Sequence, residues 1–175
     1  MNATTPPTPH TVGILAGMGP AAGVDFARLF VAACEDWLRG HGQAVCDQAY
    51  PAHWMAQLPI ADRTRALTDG AAPQPLDAMA QGLAQLAGLG ARAVAMPCNT
   101  AHAWHAALQQ RVPQVELLHM PRETAAALRA RSLTRVALLA TEGSYRIGLY
   151  EQAFAAEGIG CVLPDAQARH WLMQG

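Results

Sequence analysis

Charged and aromatic residues are both scarce: charged side chains make up 14% of the 175 residues and aromatic ones 6%. So little charge beside 51% hydrophobic residues excludes a disordered polyelectrolyte, and the mixed composition excludes a collagen-like or low-complexity polymer. Neither sign of charge dominates. Twelve Lys+Arg against thirteen Asp+Glu give a formal charge of -1, leaving no basic field to collect nucleic-acid phosphates or an anionic membrane surface. No apolar run approaches the roughly 20 residues needed to span a bilayer, and Met1-Asn2-Ala3-Thr4-Thr5-Pro6-Pro7 lacks the basic-then-apolar order of a secretion signal. Cys34, Cys46, Cys98 and Cys161 lie far apart without CxxC spacing, which excludes a zinc framework and a dense disulfide scaffold. The expectation is a reduced, cytoplasmic chain of about one domain's length whose partner is a small molecule, with no nucleic acid and no membrane.

What is present is an alternation of short apolar runs and helical patterns. After a Pro/Thr tail over 1–10, Thr11 to Ala16 reads as a strand, closed by Gly17-Met18-Gly19-Pro20 and followed by a helix from Ala21 to about Leu38. Gln43 to Tyr50 is the candidate second strand, Asp62 to Leu67 a helical turn, and Leu76 to Leu89 a helix that Gly88 and Gly90 terminate. Further strands are expected at Ala91–Met96, Val115–Leu118, Arg135–Ala140 and Ile159–Leu163, and further helices at Thr100–Gln110, Arg122–Arg131 and Ser144–Ala156. Apolar strands that do not alternate in polarity, separated by helices, predict an α/β fold: an open parallel sheet with helices on both faces.

A shift of 124 residues lays the opening unit over a second copy. Val12 meets Val136, Leu15 meets Leu139, Ala16 meets Ala140, Gly19 meets Gly143 and Phe30 meets Phe154, with Ile14 opposite Leu138 and Phe26 opposite Tyr150. Any two α/β units share some of this pattern. If the duplication is real, the second copy stops early, and the counterpart of Cys98 falls past residue 175.

Ligands of open parallel sheets bind beyond the carboxyl ends of the strands, where helices begin. Three segments occupy that place: Gly17-Met18-Gly19-Pro20, Pro97-Cys98-Asn99-Thr100 and Thr141-Glu142-Gly143-Ser144. A thiol at such a position is easily ionised, so Cys98 suits a nucleophile or an acid/base; a small buried hydrophobe is the plainer alternative. Asn99 and Thr100 suit helix capping or the holding of a carboxylate. His102 and His105 can share a helix face with Cys98, but no further Cys/His cluster completes a metal site, and packing is the commoner role of such histidines. Gly17-x-Gly19-x-x-x-Gly23 fits a dinucleotide loop poorly, because Pro20 removes a donor and the nearest acid, Asp47, comes late. Arg63, in Ile60-Ala61-Asp62-Arg63-Thr64, can pair bidentately with a carboxylate, although most such arginines are solvated.

Taken together, Gly13-Ile14-Leu15-Ala16-Gly17-Met18-Gly19-Pro20, Met96-Pro97-Cys98-Asn99-Thr100-Ala101-His102 and Leu138-Leu139-Ala140-Thr141-Glu142-Gly143-Ser144 resemble the aspartate/glutamate racemase family, in order, from about Thr11 to Gly175. The resemblance implies two pseudo-symmetric lobes facing across a cleft, the first over 11–120 and the start of a second, incomplete one over 121–175. It implies racemisation of free aspartate or glutamate by cysteine thiols, with no cofactor and no metal, in a homodimer. Cys98 would be the catalytic thiol. Met18, Gly19, Gln57, Arg63, Asn99, Thr100, Thr141 and Ser144 would bind substrate, Arg63 through a carboxylate. Three departures stand out. The family's second cysteine and a lysine fall beyond Gly175, Ile147 replaces a serine, and Gln57 stands where asparagine is usual. Cys161 is expected inside a strand rather than at a strand-to-helix turn. Within the same superfamily, arylmalonate decarboxylation and maleate isomerisation are alternatives; outside it, a non-catalytic module that binds an acidic amino acid.

Overall fold

Two parallel sheets order the chain in the computed structural model, which describes residues 10–172 and 174. The elements run β1 (Val12–Ala16), α1 (Pro20–Gly40), β2 (His53–Gln57), α2 (Arg63–Thr68), α3 (Leu76–Gly88), β3 (Ala93–Ala95), a 3-10 turn (Thr100–Trp104) leading into α4 (His105–Arg111), and β4 (Glu116–Leu117). Then come α5 (Met120–Ala130), β5 (Arg135–Ala137), α6 (Glu142–Ile147), α7 (Leu149–Ala156), β6 (Gly160–Val162) and α8 (Ala166–Leu172). The first sheet has the order β2-β1-β3-β4 and the second pairs β5 with β6, all parallel. The tail expected over 1–10 lies, up to residue 9, outside the described residues.

β1 is buried from Gly13 to Ala16 because helices cover both of its faces. A Cβ on Gly82 of α3 would fall 2.8 Å from Leu15 Cδ1, and one on Gly23 of α1 would fall 2.5 Å from the Ala16 Cβ. Leu15 and Ala16 point to opposite faces of the strand, so α3 and α1 cover opposite sides, each approaching closely through a glycine. The main core joins Leu15, Met79, Leu83, Leu86, Val94, Met96 and Leu108. A second, smaller core of Ala125, Ala153, Phe154 and Ile159 gathers Val136, Tyr150 and Cys161 around it, between the β5–β6 pair and helices α5 and α7.

Three expectations are corrected. Gln43–Tyr50 is not a strand; it is a loop ending in a 3-10 turn at Asp47–Ala49, and the second strand is His53–Gln57. That strand is the sheet's outer edge, with exposed His53, Trp54, Met55 and Gln57, so it carries no buried apolar run to mark it. The helix expected over Ser144–Ala156 starts earlier and is cut in two by Gly148, which adopts a left-handed conformation with φ +66°. α8 was not expected, since its residues include no buried side chain and therefore no apolar stripe.

Gly17 ends β1 with φ +99°, and a Cβ there would lie 2.0 Å from the Leu58 carbonyl oxygen, whose own N–H donates to Ala16 O. Gly17→Ala should therefore destabilise the protein by more than about 2 kcal/mol in urea unfolding. Gly88→Ala, at the end of α3 with nothing within 4 Å of the added methyl, should be neutral or stabilising by up to about 1 kcal/mol. Equal effects of the two substitutions would contradict the close approach of Leu58 to Gly17.

Candidate active site

Strand order decides which loops meet. β2, β1 and β3 lie side by side, so Gln57, Gly17-Met18-Gly19 and Pro97-Cys98-Asn99-Thr100 leave the same edge of one sheet. Met18 differs from the rest because its side chain is buried in the main core, leaving only its backbone to offer a ligand, whereas Gly19 is exposed and caps α1. Gln57 is exposed and its Oε1 lies 3.1 Å from where a Cβ of Gly23 would stand, so its amide rests over the start of α1.

The Asp62-Arg63-Thr64 tripeptide divides its work. Asp62 caps α2 by accepting the Arg65 N–H at 2.6 Å. Arg63 is half-buried and donates from Nη1 to the Ala61 carbonyl at 3.1 Å and the Ile60 carbonyl at 3.3 Å. Its Nε is buried without a hydrogen-bond partner, and among the described residues it forms no ion pair. Thr64 packs outward against α6: a Cβ on Gly143 would stand 3.0 Å from Thr64 Oγ1 and 3.2 Å from Thr100 Cγ2. Through that contact α2, α6 and the Thr100 turn form one junction, which brings the end of the second sheet to the Cys98 loop.

Cys98 is a half-buried free thiol held on both backbone sides, its N–H donating to Met96 O at 2.8 Å and its carbonyl accepting from His102 Nδ1 at 2.8 Å. Asn99 is exposed, and Thr100, at 8% exposure, is buried. From the second sheet, Thr141 caps α6 and its hydroxyl lies 3.3 Å from that of the buried Ser144. Tyr150 of α7 donates its hydroxyl to Asn99 Oδ1 at 2.5 Å, and burial pushes the phenol's pKa up, keeping it a neutral donor. Tyr150 was not singled out from the sequence. Its signal is the Phe26–Tyr150 pair of the internal repeat, where a hydroxyl appears on an otherwise matching aromatic ring. A cavity of about 340 Å³ adjoins Asn99 and Tyr150 but is otherwise lined mainly by apolar residues of β5, α5 and α7.

His102 and His105 do not join Cys98 as metal ligands. Both ring nitrogens of His102 bind backbone, and His105 Nε2 donates to the Leu117 carbonyl at 2.7 Å. His119 caps α5, accepting the Arg122 N–H at Nδ1, and its ring stands 4.6 Å from that of His105 and 5.4 Å from that of His102. Burial first, then His105, His102 and Arg122, push the His119 pKa down to about 4; burial likewise lowers that of His102. Cys161 sits in β6 against the second core, where burial raises its pKa, and not at a strand end.

With this geometry in view, the comparisons define the class. The family described as Asp/Glu/Hydantoin racemase matches residues 15–175, and the chain belongs to that family. The broad specificity amino-acid racemase RacX of Bacillus subtilis (strain 168) is 28% identical over 166 residues, 91% of this chain and 65% of RacX. The aspartate racemase of Picrophilus torridus superposes with a TM-score of 0.78 at 28% identity, covering 94% of this chain and 65% of that one. An aspartate racemase homologue from Pyrococcus horikoshii OT3 shares the fold at 17% identity, with a TM-score of 0.71 over 94% of this chain and 69% of that one. The chain thus spans 65% of the length of RacX and of the Picrophilus protein.

Two outcomes follow from the site's polar contacts. Tyr150→Phe deletes the hydrogen bond between the two halves and should lower stability by about 0.5–1.5 kcal/mol in urea, toward the low end because water replaces the hydroxyl at exposed Asn99; an unchanged midpoint would show that the bond contributes nothing. His119, with a folded pKa of about 4 against about 6.5 unfolded, binds fewer protons folded than unfolded in that interval. Its contribution is whole above pH 6.5 and is lost as pH falls toward 4. His119→Asn keeps a capping side chain without a titrating ring, so its stability should fall less between pH 6.5 and 4 than the wild type's; parallel curves would remove His119 as a source of the pH dependence.

Proposed function

We propose that this chain carries amino-acid racemase chemistry of the aspartate/glutamate type, with Cys98 as the proton-transferring thiol and Arg63 as the ligand of a substrate carboxylate. The observation that carries it is the packing of α2, which Arg63 opens, on the 3-10 turn that follows Cys98: a free thiol after β3 and, on the neighbouring element, a half-buried arginine whose Nε has no hydrogen-bond partner among the described residues. A carboxylate is the natural complement of that guanidinium, which presents planar paired donors. Asn99, Thr100, Thr141 and Ser144 supply the polar edge around it, with Gly19 and Gln57 at the neighbouring strand ends.

In the proposed step the Cys98 thiolate takes the α-proton, becoming a thiol, and the electron pair of the broken C–H bond passes into the α-carboxylate. Returning the proton from Cys98 restores the same enantiomer; inversion requires an acid on the opposite face. Cys34 in α1, Cys46 in the loop before Asp47 and Cys161 in β6 stand on other elements. The four free cysteines suit the reducing cytoplasm, and exposed Val24, Trp37 and Trp54 suit burial in a homodimer.

The test is α-proton exchange in deuterated water, followed by NMR on both enantiomers of aspartate and glutamate. The 175-residue chain should exchange one enantiomer with retention, Cys98→Ser should abolish the exchange, and Arg63→Ala should weaken binding by roughly 2–3 kcal/mol. Binding without any exchange would favour the alternative of an acidic amino-acid-binding module. Exchange that survives Cys98→Ser would overturn the role of Cys98.

A further inference from the structure

We infer that His102 is the positioning residue of Cys98: its buried imidazole, held as the Nδ1–H tautomer between the Cys98 carbonyl and the Met120 amide, locks the turn that presents the thiol and couples it to the start of α5.

The tautomer follows from the donors. The Met120 N–H reaches His102 Nε2 at 3.1 Å, and an amide can only donate, so Nε2 carries a lone pair. The proton is then on Nδ1, which donates to the Cys98 carbonyl at 2.8 Å. A doubly protonated ring would set Nε2–H against the Met120 N–H, donor against donor. At 2% exposure, no water is available to relieve that conflict, and the rings of His105 and His119 stand beside it at 6.1 and 5.4 Å between centroids. The imidazole is therefore a fixed dipolar strut rather than an acid or base.

Its effect on Cys98 is geometric. With the Cys98 N–H on Met96 O and the Cys98 carbonyl on His102, the backbone is pinned on both sides of the thiol. Because the peptide is planar and trans, pinning the Cys98 carbonyl toward the imidazole also turns the Asn99 N–H the opposite way. Without the imidazole, that peptide can rotate and swing its carbonyl oxygen, the negative end of the dipole, toward the thiolate. Helix α5, which the other ring nitrogen holds, packs on α7, the helix that carries Tyr150 to Asn99, so the two ends of the strut meet the same loop.

The inference deepens the thiol role given to Cys98 in the proposed function, and its test does not require turnover. Alkylation of Cys98 by iodoacetamide at pH 7 is followed by peptide mass spectrometry in wild type, His102→Phe and His102→Asn, with exposed Cys46 as the internal reference. His102→Phe, which keeps the ring volume and loses both bonds, should slow Cys98 about tenfold while leaving Cys46 unchanged. His102→Asn retains a side-chain amide able to donate to the Cys98 carbonyl and should restore the rate to within about twofold of wild type. Equal rates in wild type and His102→Phe, or equal losses in the Phe and Asn variants, would overturn the assignment. Should His102→Phe fail to fold, imidazole NMR of the wild type decides: a proton on Nδ1 of His102 is expected, and one on Nε2 overturns the strut. If Cys98 responds to these substitutions and yet no amino acid exchanges its α-proton, the proposed reaction fails while the positioning role stands.

Discussion

The close seat of Gly143 on Thr64 and Thr100 is the contact on which the candidate site depends. The first sheet by itself aligns the loops after β2, β1 and β3, which is a consequence of parallel pairing. Nothing in that sheet brings Thr141 or Ser144 near them. They arrive because α6 lies directly over α2 and the 3-10 turn, an approach so close that a Cβ at Gly143 would stand 3.0 Å from Thr64 Oγ1 and 3.2 Å from Thr100 Cγ2 and would push them back by a few tenths of an ångström. The Tyr150–Asn99 hydrogen bond then closes the same junction from α7. Close approach and hydrogen bond act on adjacent residues of one loop, so the relative placement of the two sheets and the conformation of the Cys98–Thr100 turn are coupled.

That coupling explains an otherwise odd distribution of polar groups. Residues adjacent in sequence take unlike tasks: Asp62 caps, Arg63 has no acidic partner among the described residues, and Thr64 packs. In the next loop Cys98 is held by backbone, Asn99 reaches across to Tyr150, Thr100 is buried, and His102 reaches back to the Cys98 carbonyl. Only residues with backbone contacts already satisfied can present side chains to a ligand without cost to the turn itself. The alternation of structural and presenting residues is what a tight strand-to-helix connection imposes when it must also carry chemistry.

Legibility in the sequence followed burial. β1 and β3 were readable as apolar runs because α1 and α3 bury β1 from both sides and Val94 lies in the core. β2 was not, because an edge strand with exposed Trp54 and Met55 has no buried face to impose a pattern. Gly148 was read as part of a continuous helix because glycine inside a helical pattern costs only about 1 kcal/mol, and the sequence does not say that this one turns left-handed. Of the site residues, those at strand ends were accessible to a rule about parallel sheets, and Met18 was not distinguished from its glycine neighbours because the rule names a loop, not which side chain points inward. Tyr150 and the double engagement of His102 depend on contacts between elements 51 and 18 residues apart, which no local pattern encodes.

The electrostatics of the site follow from the same geometry. Three imidazoles gather beside the Cys98 loop, yet the lone pairs at His102 Nε2 and His119 Nδ1 are each occupied by a backbone N–H, which leaves those two rings neutral. His105 is tied to the Leu117 carbonyl instead. His102 and His119 therefore add rigidity to the start of α5 without adding a cation near the thiol. The positive pole falls to Arg63, whose Nη1 bonds to the Ile60 and Ala61 carbonyls hold the guanidinium in place before any ligand arrives. An anion entering the junction meets a fixed cation on α2 and neutral donors on the Asn99 and Thr141 loops. In the proposed reading, that division would let substrate binding depend on charge while the geometry of the thiol depends on hydrogen bonds that carry none.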